Sequence, residues 1–137
     1  PPGAIDPMGA IEGDGTSLSY LSASLLLREL REFGAEWHGC WWHDHEILCA
    51  DPWGTGVPSK LIGQIGDPAG WEWVGPRPGD WRATVRSDGE AREVIFHSYT
   101  GLERERIFRH RDRYRDGSYA PAMGSVVIAN GPGGYIH

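Results

Sequence analysis

Residues 16–34 read TSLSYLSASLLLRELREFG, and the fold class follows from this segment because it alone has a strong helical pattern in the sequence. Leucines recur at spacings of three and four residues, which places apolar side chains on one face of an α-helix. Thr16 or Ser17 can cap the first turn, and Gly34 ends the pattern. We predict one amphipathic helix. Its core-facing stripe is Leu18, Leu21, Leu25, Leu26, Leu30 and Phe33, and its remaining surface carries Arg28, Glu29, Arg31 and Glu32.

The rest of the chain has the features of β-structure, with short apolar or alternating segments separated by Gly- and Pro-rich turns. The clearest pair is a hairpin of residues 81–86 and 93–99 around a turn at 87–89. Further strands are predicted at 36–49, 71–74, 102–114 and 125–129. One helix followed by many strands predicts an α+β fold, with the N-terminal amphipathic helix packed on a curved antiparallel sheet or partial β-barrel.

Composition narrows the domain count and the class of protein. A chain of 137 residues with 39% apolar residues fits a single globular domain. We expect residues 1–7 to be a vector remnant or flexible leader and 8–137 to form one α+β domain. A net charge of −6 argues against nucleic-acid binding, which depends on neutralising phosphates. Without an apolar run of about 20 residues we expect no membrane span, and a cytoplasmic location.

The densest group of reactive side chains is residues 36–49, EWHGCWWHDHEILC, which hold three of the six histidines and three of the seven tryptophans. Side chains alternate between the two faces of a strand. If this segment is one strand, one face carries Trp37, Trp41, His43, His45 and Ile47, and the other carries Glu36, His38, Cys40, Trp42, Asp44 and Glu46. This pattern predicts a histidine-bearing pocket with indole walls.

General acid–base chemistry is the catalytic interpretation of this pocket, because the pKa of histidine lies near neutrality. His43 and His45 are the first candidates for catalysis, followed by His97 on the neighbouring hairpin. Asp44 or Glu46 would orient them. The ligand-binding walls would be Trp37, Trp41 and Trp42.

Two other interpretations of the histidines stay open. His43 and His45 are two positions apart, a spacing that suits ligation of a divalent metal. Alternatively, both rings fill a half-polar sheet face and have only a structural role. The identity of a cofactor is unknown from the sequence, and none is required by it.

The second unusual segment is arginine-rich. Residues 102–116 contain six of the twelve arginines, and we assign Arg104 and Arg106 to ligand binding as a clamp for a carboxylate or phosphate. The alternative is an exposed strand whose arginines pair with Glu90, Glu93 and their neighbours. Arg104 and Arg106 share one strand face with Phe108, His110 and Tyr114.

The function that the sequence favours is the handling of a small-molecule ligand, with cyclase, isomerase or hydratase chemistry as the enzymatic version. One alternative is a small acidic interaction module of the immunity, antitoxin or regulatory type. A second is a metalloenzyme ligated by histidine. Formation of a homodimer through an edge strand or the arginine-rich segment is also left open.

Overall fold

The structure is a computed structural model that describes residues 7–32, 42, 44–54, 65–115 and 117–135. A short 3-10 helix, Pro7–Ala10, precedes the main helix α1, and a second lies at Pro68–Gly70. The main elements are α1 (Ser17–Glu32), β1 (Glu46–Leu48), β2 (Glu72–Trp73), β3 (Thr84–Asp88), β4 (Ala91–Thr100), β5 (Arg106–Tyr114) and β6 (Ala122–Asn130).

Within the described residues, six strands form one open antiparallel sheet, and α1 packs on one of its faces. Five of the strands follow the order β1-β4-β5-β6-β2. Strand β3 also pairs with β4, along residues 91–95, whereas β1 pairs with residues 97–99. Strands β1 and β3 therefore lie end to end on the same side of β4. The predicted α+β fold is confirmed, with a sheet that does not close into a barrel.

The long strands divide the core into two clusters, one on each face of the sheet. Alternate side chains of β4 point to opposite faces. Val94 and Phe96 pack against the helix together with Tyr114. Tyr99 and Ile107 pack on the other face with a group of tryptophans formed by Trp53, Trp71, Trp73 and Trp81. We call these the helix face and the tryptophan face.

The predicted hairpin is present, but its turn lies at Gly89 and Glu90, slightly after the predicted residues 87–89. Gly89 has a φ of +58°, a value that favours glycine. Strand β5 begins at Arg106 rather than at 102, because Glu103 has a φ of +60°, which lies outside the β region. A register shift between Ile107 and Phe108 marks a β-bulge opposite β6.

The predicted orientation of the helix is wrong in part. Leu18 and Leu26 are exposed, whereas Arg28 is only 5% exposed. The buried stripe is Tyr20, Ala23, Ser24, Leu27 and Arg28. Hydrogen bonds from β5 account for this rotation, since the Tyr114 hydroxyl meets Ser24 and the Asp112 carboxylate meets Arg28. The helix is therefore rotated so that the residues with polar partners on the sheet are buried, and part of the leucine stripe is exposed.

The single long strand predicted at 36–49 is also wrong within the described residues. The amide of His45 donates to the carbonyl of Trp42, which closes a turn immediately before β1. Strand structure is confined there to Glu46–Leu48. Residues 36–41 and His43 lie outside the described part of the chain. In that described part, no helix combines the length and apolarity needed to cross a membrane.

Candidate ligand cavity between helix and sheet

A cavity of about 400 Å³ opens between the C-terminal half of α1 and the helix face of the sheet. Its apolar surface comes from Trp42, Phe108 and Val127, and its polar surface from histidine, serine and arginine side chains. The polar lining residues are Arg28, Arg31, Glu32, His45, Arg106, His110 and Ser125. The site combines aromatic walls with hydrogen-bonding groups, as small-molecule sites commonly do.

A buried ion pair lies next to this cavity. Arg28 binds Asp112 through two parallel hydrogen bonds, Nη1 to Oδ2 at 2.6 Å and Nη2 to Oδ1 at 3.0 Å. Nη1 also donates to the carbonyl of Ser24 at 2.9 Å. Asp112 is fully buried, so the pair depends on these hydrogen bonds to offset the loss of hydration. The guanidinium is therefore fixed in position.

Four side chains form a continuous hydrogen-bonded chain across the sheet beside this pair. The Oγ of Ser125 lies 2.7 Å from Nδ1 of His110, and Nε2 of His110 lies 2.7 Å from Oγ of Ser98. The same Oγ of Ser98 lies 2.7 Å from Nδ1 of His45. Neighbouring strands place these groups, since Ser98 is on β4, His110 on β5 and Ser125 on β6. Ser98 thus connects the two histidines.

Arg28 determines the direction of the hydrogen bonds in this chain. Its Nη2 lies 3.4 Å from Nδ1 of His110, and a guanidinium can only donate. Nδ1 of His110 is therefore the acceptor, and the proton of the neutral ring resides on Nε2. That proton is donated to Ser98, whose hydroxyl in turn donates to Nδ1 of His45. The proton of His45 consequently resides on Nε2, which makes no hydrogen bond within the described residues.

Burial keeps both histidines neutral. Desolvation, followed by the charge of Arg28, lowers the pKa of His45 to about 4. The same two causes, with smaller contributions from the other histidines, lower the pKa of His110 to about 2. Asp44 opposes the shift at His45 only weakly. At neutral pH the site therefore offers two uncharged imidazoles.

Aromatic contacts hold the wall of the cavity in place. The indole of Trp42 stacks on His45 with 5.1 Å between ring centroids, and its N–H donates to Glu29. The guanidinium of Arg28 lies 4.8 Å from the ring of Phe96 and 5.4 Å from that of Trp42. These cation–π contacts add to the ion pair in fixing Arg28. The wall is built from side chains that are themselves held by specific contacts.

The mouth of the cavity has a positive character. Arg31 and Arg106 both line it, and neither forms an ion pair within the described residues. Glu32 also lines it, and its carboxylate accepts a hydrogen bond from the amide of Trp42. Two arginines against one engaged carboxylate favour a ligand with an anionic or strongly accepting group.

The structure brings together some of the predicted site residues and separates others. His45, Trp42 and Arg106 line the cavity, while His43, Trp37 and Trp41 lie outside the described residues. His97 lies on the tryptophan face, against Trp81, and so does not share a site with His45.

Three further predicted site residues, Asp44, Glu46 and Arg104, make their contacts outside this cavity. Asp44 accepts a hydrogen bond from the hydroxyl of Tyr135. Glu46 is opposite Tyr99 in the sheet, and burial raises the pKa of that tyrosine, with the charge of Glu46 as the smallest contribution. Arg104 approaches the carbonyl of Gly131. None of the three lines the helix-face cavity.

The predicted site residues did not include Arg28, Asp112, Ser98, His110 and Ser125. Strand alternation did place His110 on the same face as Arg106 and Phe108, which the structure confirms. Asp112 lies on the same face by the same alternation. It could have indicated the buried ion pair, because a carboxylate on a buried strand face requires a cationic partner. The partner itself is 84 residues away in sequence, on the helix surface that was predicted to face solvent.

The described residues contain no group of three His, Cys, Asp or Glu side chains arranged to hold a metal ion. No protein-family model, curated protein or solved structure matches the chain. Its function is therefore inferred from the chemistry of its own side chains.

The ion pair gives a direct prediction for stability. Asp112→Ala leaves the Arg28 guanidinium buried without its partner, and we expect the free energy of unfolding to fall by about 3–5 kcal/mol. The double variant Arg28→Met/Asp112→Leu removes both charges and should recover much of that loss. Tryptophan fluorescence during urea unfolding measures both values. Arg82→Ala, at an exposed ion pair, is the control and should change the midpoint little. A double variant no more stable than Asp112→Ala would refute the assigned role of the pair.

The depressed histidine pKa values predict the pH dependence of stability. The unfolded chain takes up protons near pH 6.5, whereas folded His45 and His110 resist protonation down to about pH 4 and about pH 2. Their contribution is therefore complete above about pH 6.5 and is lost progressively as the pH falls below it. Urea unfolding at pH 7 and pH 5 should show lower stability at pH 5, with a smaller difference in His45→Gln. His97, whose pKa is also lowered, acts in the same direction. Equal stability at both pH values would contradict the assignment.

Proposed function

We propose that this protein binds a small, flat and partly apolar molecule in the helix-face cavity. The observation that carries the proposal is the fixed polar chain ending at His45, in a cavity whose other walls are the rings of Trp42 and Phe108. Flat apolar surface of the ligand would lie against these rings. Its accepting edge would bind Nε2–H of His45.

The charges at the mouth support an anionic edge on that molecule. Arg28 is engaged by Asp112, so the cations left for a ligand are Arg31 and Arg106. An aromatic or heteroaromatic carboxylate combines the two required features, a ring for the apolar walls and an anion for the arginines. A volume of about 400 Å³ accommodates one or two fused rings.

Naphthalene-2-carboxylate, with naphthalene-2-carboxamide as its neutral counterpart, tests this binding mode by titration of tryptophan fluorescence. Val127→Phe places a ring in the cavity and should weaken binding of the carboxylate by about tenfold or more. Val126→Phe is the matched control, since Val126 is the adjacent residue, belongs to the opposite face and is 51% exposed. Native mass spectrometry of the purified protein would show a retained natural ligand.

The binding proposal predicts that Val126→Phe binds like the wild type and that the carboxamide binds more weakly than the carboxylate. Equal loss of binding in the two valine variants would show that the probe binds elsewhere. Absence of any saturable binding in the wild-type protein would also contradict the proposal.

Acid–base catalysis in the same cavity is the second candidate, favoured by the uninterrupted chain from Ser125 to His45. For Nε2 of His45 to accept a proton, every hydrogen bond of the chain must reverse. Nδ1–H of His110 would then face Nη2 of Arg28, an unfavourable contact of two donors. This is why binding, rather than turnover, is the first proposal.

Hydrogen exchange distinguishes the catalytic candidate from simple binding. A molecule recovered from the native complex and incubated with protein in D₂O should exchange an acidic C–H, detected as loss of its proton NMR signal. His45→Gln retains hydrogen bonding but cannot accept a proton, so it should abolish this exchange while the molecule remains bound. Exchange at the wild-type rate in His45→Gln would exclude His45 as the base.

A further inference from the structure

We propose that a groove on the opposite face of the sheet is a second binding site, which takes the phosphate group of a small soluble molecule. The groove lies between the loop at residues 76–82 and strands β3, β4 and β5, and its volume is about 280 Å³. It is separated from the helix-face cavity by the sheet itself. The proposal therefore stands independently of the function proposed for that cavity.

The charge of this groove is unlike that of the chain as a whole. Among the described residues, five arginines line it against a single carboxylate, Asp80, although the net charge of the chain is −6. The arginines are Arg77, Arg82, Arg86, Arg109 and Arg111. Concentration of cations in a concave site creates a local positive potential that attracts small anions.

Two of these arginines are available to a ligand. Arg82 pairs with Asp80, Arg77 pairs with Asp51, and Arg111 lies 3.6 Å from Glu93. Within the described residues, Arg86 and Arg109 form no ion pair. They lie on β3 and β5, on either side of β4, with the groove between them. Guanidinium groups bind phosphate oxygens through paired N–H donors.

A buried polar atom at this groove is also unsatisfied. His97 lines the groove and is 5% exposed, and its Nδ1 has no hydrogen-bond partner within the described residues. The ring contacts the indole of Trp81 and is opposite Arg109 in the sheet. An unsatisfied buried ring nitrogen is unfavourable, and a phosphate group can satisfy it in either role, because its oxygens accept from an N–H and its P–OH donates to an unprotonated nitrogen. Thr84 adds a hydroxyl donor to the lining.

The dimensions of the groove favour a single phosphate group over a polymer. The loop at residues 76–82 closes one side, and Asp80 and Glu93 border the arginines. A long polyanion would extend past these arginines over a chain of net negative charge, which opposes its binding. One phosphate can be held by Arg86 and Arg109 without leaving the groove.

Inorganic phosphate is the probe, followed by NMR of the histidine rings and by isothermal titration calorimetry. We expect saturable binding, with phosphate-dependent shifts of the His97 ring signals and none of His110, which is on the other face. Arg109→Gln and Arg86→Gln should each weaken binding by about tenfold, the effect of one charge-assisted hydrogen bond. Arg113→Gln is the matched control, because Arg113 is on the same strand and face as Arg109 but outside the groove lining.

Circular dichroism establishes that each variant is folded before its binding is compared. If Arg113→Gln weakened phosphate binding as much as Arg109→Gln, the effect would come from general surface charge, and the proposal would be overturned. Shifts of His110 in place of His97 would also overturn it. A short single-stranded RNA that binds saturably where phosphate does not would assign the groove to a polymer instead.

Discussion

The buried pair of Arg28 and Asp112 is the interaction on which the rest of this structure depends. Removing two charges from water costs several kcal/mol for each ion, so the pair is tolerated only because its donors and acceptors are satisfied. Two hydrogen bonds join the guanidinium to the carboxylate, and a third joins it to the carbonyl of Ser24. Satisfying them requires α1 to present Arg28 to β5. The pair thereby sets the rotation of the helix and leaves Leu18 and Leu26 exposed.

The same pair sets the chemistry of the cavity. Its guanidinium makes Nδ1 of His110 an acceptor, and Ser98 transmits that constraint to His45. Burial, together with the positive charge of Arg28, lowers the pKa of both rings and keeps them neutral at physiological pH. The two faces of the sheet present different chemical groups. The helix face has neutral imidazoles beside aromatic rings, and the tryptophan face has a groove of arginines around His97.

Local patterns in the sequence were sufficient to predict most helices and strands and the face on which each strand residue lies. They were not sufficient to predict which residues form the site. Leucine spacing predicted α1, and alternation along residues 106–114 predicted that Arg106, Phe108 and His110 share a face. The predicted pocket of His43, His45 and His97 assumed one long strand at 36–49, whereas a turn at Trp42–His45 precedes a three-residue β1. Rotation of the helix depends on a contact between residues 84 positions apart. Periodicity contains no information about such a contact, because Arg28 fits either a solvent face or a buried ion pair.

Arg28 fixes the proton positions of two neutral histidines, His45 and His110, and NMR of the imidazole nitrogens at neutral pH is the most direct test of this effect. Long-range ¹H–¹⁵N correlation spectra distinguish the two neutral tautomers and the charged form of each ring. If Arg28 acts in this way, His45 and His110 are both neutral with the proton on Nε2, and Arg28→Met/Asp112→Leu permits the other tautomer. A charged ring at either position, or a proton on Nδ1 of His110 in the wild-type protein, would contradict it.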